Sequence, residues 1–407
     1  MRICILATST TAHQLGGTEV HAEALAAEAA RQGHEVFLAT SAHPAGLLTE
    51  QKDGYTVIYI PGTDPSMSRG AARLWWEKSV AALSAPGGTG KFDVVWAENY
   101  AGQAYAALPR QQRSPVISIL QGSLLGGVRS NFNRISTAGE LFHFLTRYPA
   151  QLALYTIPWF RATVKNSDLI VAVSPQTAAA LASEFPASRA KITTILNHVD
   201  TEVFRPDRAL RAAVRARLEL PEDATAVLMT GILHKQKGLA LGLECFARTA
   251  GKHPGLRLLI VGDGPERKNL EAAAAALGVS VRTIFCGAQG NCAMPGYYNA
   301  ADIYLNPTLR HEGLPLVMLE AMACGLPSIT SRIGGTAATI DDGVSGFFVK
   351  PGDTAAMTEK LGLLAGHPEL RALLAKNARE KAVRAFDKTL LLQQYLSASR
   401  RLILDAN

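Results

Sequence analysis

The sequence predicts an α/β protein with two Rossmann-like, doubly wound domains. Short β-branched runs alternate with longer Ala- and Leu-rich segments along the chain, a pattern typical of parallel strands joined by crossover helices. The chain has 407 residues, which suits two or three domains at about 150 residues each. A turn-rich segment that ends in Pro206 separates two complete alternating halves, because proline cannot continue a helix.

The two halves predict an N-terminal domain over residues 1–196 and a C-terminal domain over residues 197–388. The last helical stretch, residues 389–407, is expected to pack back on the first domain. In open parallel sheets, ligands bind beyond the carboxyl ends of the strands. Two such domains facing each other would therefore leave a ligand cleft between them.

Each half contains six predicted strands. In the first half, a helix predicted over residues 20–32 ends at Gly33, which suits the left-handed conformation that stops a helix. The strands are predicted at residues 2–7, 35–40, 56–60, 94–96, 116–119 and 169–173 in the first half, and at residues 226–230, 257–261, 283–286, 303–306, 328–330 and 346–349 in the second.

Composition excludes several classes of protein. Hydrophobic residues make up 48% of the chain and charged residues 18%, which excludes a disordered protein. Five cysteines without a Cys-x-x-Cys pair argue against a disulfide framework or a zinc ribbon and favour a reducing, cytoplasmic compartment. No apolar run approaches the roughly 18 residues of a membrane-spanning helix, and the first run is too short for a signal peptide. Any membrane contact is expected to be peripheral, at the inner face.

The basic surplus does not belong to one domain. The chain has 41 Lys and Arg against 34 Asp and Glu, a formal charge of +7. Up to Leu196 the numbers are 16 against 13, and after it 25 against 21. A nucleic-acid-binding protein concentrates basic residues on a recognisable module, so no nucleic-acid partner is predicted.

The most informative stretch, residues 306–327, is predicted to form a strand end, a loop and a helix. Glu312 lies in the loop and Glu320 about one turn into the helix. Pro315 suits the first helical position, where its missing N–H costs nothing, and Gly325 is expected to stop the helix. The free N–H groups and positive dipole end at such a helix start attract an anion. A diphosphate would fit between the two carboxylates.

Glu320 is predicted to be functional rather than a solvated surface residue. Its helical neighbours are apolar nearly all round, which predicts a buried helix. A buried carboxylate without partners is costly, whereas an ionised one can accept hydrogen bonds from the two hydroxyls of a diol.

Three further loops follow predicted strands. Lys235 and Lys237 lie in a polar loop with His234. Lysines in loops are ordinarily solvent-exposed, but this loop is predicted at the same sheet edge as Glu312.

The other two loops contain glycines. The pair Gly16 and Gly17 would let the backbone approach a ligand, or simply form a tight turn. The segment 261–265, which contains Gly262, resembles a nucleotide loop, but the third glycine of a dinucleotide fingerprint is replaced by arginine, so NAD binding is not supported.

Taken together, these motifs resemble the retaining glycosyltransferase family 4, also called glycosyltransferase group 1, whose members have the two-domain fold called GT-B. The resemblance implies two facing Rossmann-like domains, an acceptor-side N-terminal one and a C-terminal one that binds a nucleotide diphosphate sugar. The most specific part is the pair Glu312 and Glu320, followed by Ala-Met-Ala-Cys-Gly. Weaker matches are at residues 16–19, 33–36, 197–206, 231–238, 261–265 and 301–302.

The resemblance also implies roles for single residues. Glu320 should bind the nucleotide ribose, Glu312 the hydroxyls of the donor sugar, and Lys237 the diphosphate. The implied reaction is a front-face retaining transfer of a hexosyl group from a UDP- or GDP-sugar, without a metal ion or another cofactor. The remaining implied donor contacts are Gly16, Gly17, Gly231, Lys235, Gly262, Cys286, Gly313, Leu314, Leu316 and Val317.

Three positions depart from the family pattern. Ile232 stands where members commonly have arginine, and Ala338 where a glutamate is frequent. Gln121, the third candidate catalytic residue, stands where many members have histidine, and it cannot titrate near neutral pH. A sugar-nucleotide epimerase or sugar phosphorylase on the same fold, and a non-catalytic partner subunit, are therefore the alternatives.

The stretch 124–165 is basic and rich in aromatic residues. Its apolar residues recur at helical spacing, which usually indicates ordinary core packing. The alternative is an amphipathic surface that contacts an anionic membrane peripherally. The acceptor is a glycan, a small molecule or a lipid-linked hydroxyl compound; the sequence does not choose among them.

Overall fold

A computed structural model describes residues 1–14, 16–66, 68–84, 91–133, 135 and 137–406. Its contacts divide the chain into two units. The first comprises Met1–Gly127, Ser136–Asn197 and Lys388–Asn407, and the second comprises Val128–Ile135 and His198–Asp387. Each unit is built on one largely or wholly parallel sheet, so the predicted α/β fold class is confirmed.

The sheet of the first unit has eight strands in the order β3-β4-β2-β1-β5-β6-β7-β8. All pairs are parallel except that of β3 with β4, which is antiparallel. The six predicted strands are present, and β3 and β8 were not predicted. The strands are β1 (Arg2–Leu6), β2 (Glu35–Ser41), β3 (Thr49–Lys52), β4 (Tyr55–Ile60), β5 (Val94–Glu98), β6 (Val116–Leu120), β7 (Leu169–Ala172) and β8 (Ile192–Thr194).

Helices join the parallel strands of the first unit. The first of them begins at Gly17, three residues before its predicted start, with Gly16 as its N-cap residue. A π-helical turn, Leu152–Thr156, lies between the sixth and seventh helices. The helices are α1 (Gly17–Arg31), α2 (Arg69–Ser84), α3 (Gln103–Ala106), α4 (Leu124–Phe132), α5 (Ala138–Thr146), α6 (Tyr148–Gln151), α7 (Ile157–Asn166) and α8 (Pro175–Glu184). Of these, α4 is divided between the units: residues 124–127 belong to the first and residues 128–132 to the second.

The helices α5 and α6 correct one expectation. Core packing was the favoured interpretation of the apolar stripe in this stretch, yet neither helix, nor the π-helical turn after them, has a buried residue. Burial begins only in α7, at Phe160, Thr163 and Val164. The core interpretation was therefore wrong for α5 and α6.

The sheet of the second unit has six parallel strands in the order β11-β10-β9-β12-β13-β14. All six were predicted. The strands are β9 (Thr225–Thr230), β10 (Leu256–Val261), β11 (Thr283–Gly287), β12 (Ile303–Asn306), β13 (Ser328–Ser331) and β14 (Gly346–Val349); the helices are α9 (Arg208–Arg217), α10 (Leu239–Ala250), α11 (Arg267–Ala276), α12 (Met294–Ala300), α13 (Leu316–Ala323), α14 (Thr354–Gly366) and α15 (Pro368–Phe386).

The strand order of the second unit decides where its loops meet. β9 lies between β10 and β12, and all three strands are almost fully buried and apolar. Because the strands are parallel, the loops that follow Thr230, Val261 and Asn306 leave the same edge of the sheet. These are the loops that contain Lys237, Gly262 and Glu312.

The last helix, α16 (Lys388–Ala406), belongs to the first unit. Ser399 accepts a hydrogen bond from the indole N–H of the fully buried Trp96, at 3.0 Å between Nε1 and Oγ. The Lys388 ammonium lies 3.6 Å from the Glu28 carboxylate on α1. The C-terminal helix is therefore fixed to the first sheet by both core and polar contacts.

Candidate functional site

Lys237 and Glu312 form a partly enclosed ion pair at the carboxyl edge of the second sheet. The Lys237 Nζ lies 2.7 Å from Glu312 Oε1, and the two side chains are 19% and 13% exposed. The Thr308 hydroxyl donates a second hydrogen bond to the same oxygen, at 3.3 Å. Burial alone would raise the pKa of Glu312, but Lys237, together with Arg310 and Thr308, outweighs it and holds the pKa below its usual value. Glu312 is thus an ionised acceptor at neutral pH.

Glu320 lies in a different electrostatic environment on α13. It is 7% exposed, and the hydroxyl of Tyr298 donates to its Oε2 at 2.7 Å. Burial raises the pKa of Glu320 to about 7, and the hydrogen bond from Tyr298 opposes that rise only in part. The two carboxylates therefore differ: Glu312 carries a fixed charge, whereas Glu320 changes protonation near neutral pH.

A chain of hydroxyl groups extends from Glu320 to the end of β9. The Thr230 hydroxyl lies 2.8 Å from the hydroxyl of Tyr304 and 3.4 Å from that of Tyr298. Burial, and then the charge of Glu320, raise the pKa of Tyr298 well above its ordinary value, so this hydroxyl stays a donor. The chain connects the carboxylate on α13 to the strand that precedes the lysine loop.

Glycines bring the loops of this edge into close backbone contact. Gly231 has φ +124° and Gly262 has φ +141°, values that other residues rarely adopt. A Cβ atom at Gly262 would overlap the carbonyl oxygen of Gly231. Likewise, Gly238, with φ +66°, lies against the carbonyl of Pro307. The predicted loop glycines Gly231 and Gly262 therefore hold the lysine loop in its position.

The start of α13 differs in one detail from the prediction. Pro315 is the N-cap residue rather than the first helical residue, and α13 begins at Leu316. Leu316 and Val317 thus occupy the first turn, whose N–H groups lack intrahelical partners by geometry. Gly313 and Leu314 are buried in the loop before it. The carbonyl of Glu312 accepts the N–H of Gly335 at 2.8 Å, which fixes this loop from the other side.

The remaining predicted donor residues of the second unit lie farther along the same edge. Lys235 and Lys237 bound a short 3-10 turn, and the Nδ1 of His234 accepts the N–H of Gln236 at 3.3 Å. Ile232 is 56% exposed in the same loop. Cys286 is half-buried near the end of β11, and burial raises the pKa of its thiol to about 11. It is therefore a neutral thiol rather than a nucleophile.

Gln121, Gly16 and Gly17 belong to the first unit. The amide of Gln121 donates to Glu98 Oε2 at 3.3 Å and accepts from Asn197 at 2.9 Å. The other oxygen of Glu98 lies 2.7 Å from the Nδ1 of His21. Glu98, Asn197 and His21 are all at most 5% exposed. Gln121 is thus one member of a buried polar network at the carboxyl end of β5 and β6.

The glycine pair of the first unit begins α1. Next to it, Glu19 is 5% exposed, accepts a hydrogen bond from Ser9, and accepts another from Gln14 at 2.8 Å. These contacts hold the side chain of Glu19 at the start of α1. The donor contact of this pair stays a prediction.

Sequence reasoning missed a group of polar residues around Lys237 and Glu312 in the second unit. Ser130 belongs to the second unit; its hydroxyl accepts the N–H of His311 at 2.8 Å, and its carbonyl accepts the side-chain amide of Gln236 at 2.9 Å. One serine thereby links the loop of Lys237 to the loop of Glu312. These partners are more than a hundred residues apart in sequence, and no motif marks them. Tyr298, Thr230 and Thr308 lie closer in sequence to their partners, but no motif marks them either.

Among residues 1–14, 16–66, 68–84, 91–133, 135 and 137–406, no cluster of three His, Cys, Asp or Glu side chains is placed to hold a metal ion. In the described part of the chain, no helix is long and apolar enough to cross a membrane.

Two family models match almost consecutive parts of the chain. The model described as Glycosyltransferase Family 4 matches residues 15–203, and the model described as Glycosyl transferases group 1 matches residues 211–381. The chain belongs to this glycosyltransferase family. The predicted family is therefore confirmed, and with it the class of enzyme.

Relatives of this family-4 glycosyltransferase include one from Saccharomonospora viridis, a D-inositol 3-phosphate glycosyltransferase that is 35% identical over 230 residues. That alignment covers 54% of this chain and 53% of the relative, so the chain spans about half the length of this relative. The D-inositol 3-phosphate glycosyltransferase 1 of Catenulispora acidiphila is 29% identical over 384 residues, which cover 91% of this chain and 85% of that protein.

The fold of the family-4 chain also matches a solved structure, that of sucrose-phosphate synthase from Thermosynechococcus elongatus. The TM-score is 0.80 over 100% of both chains, at 21% sequence identity. At this identity the likeness shows the fold alone. It confirms the predicted GT-B fold.

Proposed function

We propose that the protein is a retaining glycosyltransferase that moves a hexosyl group from a UDP- or GDP-sugar to an acceptor hydroxyl, with no metal ion or other cofactor. The observation that carries the proposal is the ion pair of Lys237 and Glu312, 2.7 Å apart, whose glutamate lies in the loop that leads into α13. It puts a cation, a fixed carboxylate and a helix N-terminus at one edge of the sheet. A sugar diphosphate needs these same three groups.

The cation and the helix start suit the diphosphate. The ammonium of Lys237 has three N–H donors, one of which faces Glu312. Phosphate oxygens are the proposed partners of the others, and the N–H groups of Leu316 and Val317 add the positive end of the helix dipole. Fixed donors of this kind stabilise the charge that develops on a leaving group.

Glu312 suits the sugar rather than proton transfer. Its pKa is held below the ordinary value by Lys237 and its neighbours, so it stays an acceptor for sugar hydroxyls through the reaction. In the proposed front-face transfer, the bond from the anomeric carbon to the diphosphate oxygen breaks. The bond to the acceptor oxygen forms on the same face, and the leaving phosphate oxygen takes the hydroxyl proton. No step requires a protein nucleophile.

The first acceptor to test is an inositol phosphate, since both relatives described above are named for that compound.

Gln121 has no titratable group, which fits a mechanism in which the departing phosphate, not a histidine, receives the proton.

The experiment incubates the full chain with UDP- and GDP-hexoses, with and without inositol phosphate, and measures release of nucleoside diphosphate. We expect release that depends on the acceptor, and a product whose anomeric configuration by NMR equals that of the donor. Phosphate-dependent formation of a sugar phosphate would instead support a phosphorylase. Donor binding without turnover for any tested acceptor would support a non-catalytic subunit.

Glu320 supplies a test of the donor site that does not depend on turnover. Because burial raises its pKa to about 7, the carboxylate loses its charge as the pH falls below that value and accepts ribose hydroxyls less well. We expect the affinity for a nucleoside diphosphate, measured by calorimetry, to fall by about tenfold between about pH 8 and pH 6.

The matched control is Glu320→Gln, which keeps the shape but cannot titrate. Its affinity should be lower at high pH and should vary with pH only as the phosphates of the ligand do. An equal pH dependence in the parent and in Glu320→Gln would remove Glu320 from the proposed ribose site.

A further inference from the structure

The helices α5 and α6 are apolar, yet they have no buried residue. Within them, Leu141, Phe142 and Leu145 are 40%, 70% and 63% exposed, and Leu154 in the following π-helical turn is 63% exposed. A helix this rich in large apolar side chains is normally covered. We use the name exposed helical segment for residues 138–161.

The start of the segment is a capped helix, and its end is packed against the rest of the first unit. Thr137 and Glu140 cap the start of α5 reciprocally. At the other end, Trp159 packs edge-on against Trp76 with ring centroids 5.3 Å apart, and Phe160 is 6% exposed in a core cluster with Leu120 and Leu181. The apolar side chains are therefore presented by an anchored element of the first unit.

The charge around these side chains favours one kind of partner. Between residues 137 and 166 the basic residues are Arg147, Arg161 and Lys165, all exposed, and the one acidic residue is Glu140. The side chain of Glu140 is held in the capping interaction. A surface that is apolar and basic, with aromatic residues at its base, is complementary to an anionic lipid bilayer, where apolar groups enter the acyl boundary and cations meet the headgroups.

We infer that the exposed helical segment docks this protein on the surface of a membrane that contains anionic lipid. Phe142, Leu145 and Leu154 enter the boundary between headgroups and acyl chains, and Arg147 and Arg161 lie at headgroup level. The contact is peripheral. It does not depend on the reaction proposed above, so either proposal can fail without the other.

The experiment is flotation of the full chain with vesicles of phosphatidylcholine alone and of phosphatidylcholine mixed with phosphatidylglycerol. We expect binding to the mixed vesicles at low salt and weaker binding at high salt, because surface charge attraction is screened. The double variant Phe142→Ser/Leu145→Ser should bind the mixed vesicles at least about tenfold less, since each burial contributes more than that factor when complete.

The matched control changes exposed apolar residues elsewhere. Leu373 and Val383 on α15 are 56% and 44% exposed, and Leu373→Ser/Val383→Ser should leave vesicle binding unchanged. Circular dichroism checks that both double variants are folded. Arg147→Glu/Arg161→Glu should remove the preference for anionic vesicles.

Three results would overturn the inference. One is an absence of binding to anionic vesicles at low salt. Another is an equal loss of binding in the α15 control variant. The third is a dimer in sedimentation that Phe142→Ser/Leu145→Ser dissociates while vesicle binding persists, because a second copy of the chain would then cover the segment.

Discussion

Replacing Lys237 with alanine is expected to lower kcat by about two to three orders of magnitude, with a smaller change in the KM for the donor. Removing one preorganised donor from a developing negative charge typically costs about this much. The proposed leaving diphosphate would lose the cation that now lies 2.7 Å from Glu312. Initial rates of nucleoside diphosphate release, over a range of donor concentrations, measure the effect.

The same variant is expected to be less stable by about 2–5 kcal/mol, because it leaves the enclosed carboxylate of Glu312 without its partner. In the parent, the pKa of Glu312 is depressed, so its contribution to stability is present above the unfolded pKa and is lost on acidification. Without Lys237, burial would raise that pKa instead. The stability difference between parent and variant should therefore widen as the pH rises.

A double variant separates the two effects. Lys237→Met/Glu312→Gln removes both charges with little change in volume, so it should recover most of the lost stability but no turnover. Full activity in Lys237→Ala would show that this lysine has no role in the proposed transfer. Recovery of turnover in the double variant would show that the loss had come from the unpaired carboxylate alone.

The strands of this protein were predictable because most are buried on both faces and consist of continuous apolar, β-branched runs. β1 is buried and apolar from its second residue to its last, and β9 is buried from its second residue to its last. The two missed strands lack it: β3 has the sequence Thr-Glu-Gln-Lys, and β8 has three residues. Both are defined by their pairing with β4 and β7, respectively. The local sequence does not determine such pairing.

The site shows the same limit at the level of side chains. Glu320 was predictable because it is a charged group on an otherwise apolar helix, and Glu312 because it lies in the loop before the start of that helix. Their partners were not, since Tyr298 is 22 residues from Glu320 and Lys237 is 75 from Glu312. What separates the two carboxylates electrostatically is therefore a property of the fold, which brings a lysine to one and only a phenol to the other.

For the exposed helical segment, core packing was predicted, but its first two helices have no buried residue. Helical periodicity of apolar residues indicates that a face will be covered, and core packing is the commonest cover. The periodicity could not show whether the cover is the rest of the chain. With Leu145 of that periodic stripe at 63% exposure, the described part of the first unit does not supply it.

Gly262→Ala is expected to cause the largest loss of stability among the glycine loops of the second unit. At φ +141° a side chain is strained, which costs about 1–3 kcal/mol by itself. In addition, the new Cβ would overlap the carbonyl oxygen and carbon of Gly231. These are backbone atoms, so relief requires a shift of the loop that leads to Lys237. We expect a total of about 3–5 kcal/mol in urea unfolding.

The matched control for strain without crowding is Gly343→Ala. Gly343 has φ +73°, and a Cβ there would meet no atom within 4 Å. Its replacement should therefore cost only about 1–2 kcal/mol. The chain has two units, so the unfolding curve must be resolved into its transitions, and both variants should affect the same one. Equal losses in the two variants would mean that the close approach of Gly262 to Gly231 contributes nothing to the fold. A greater loss for Gly262→Ala, accompanied by reduced donor affinity, would mean that this contact also sets the position of the lysine loop.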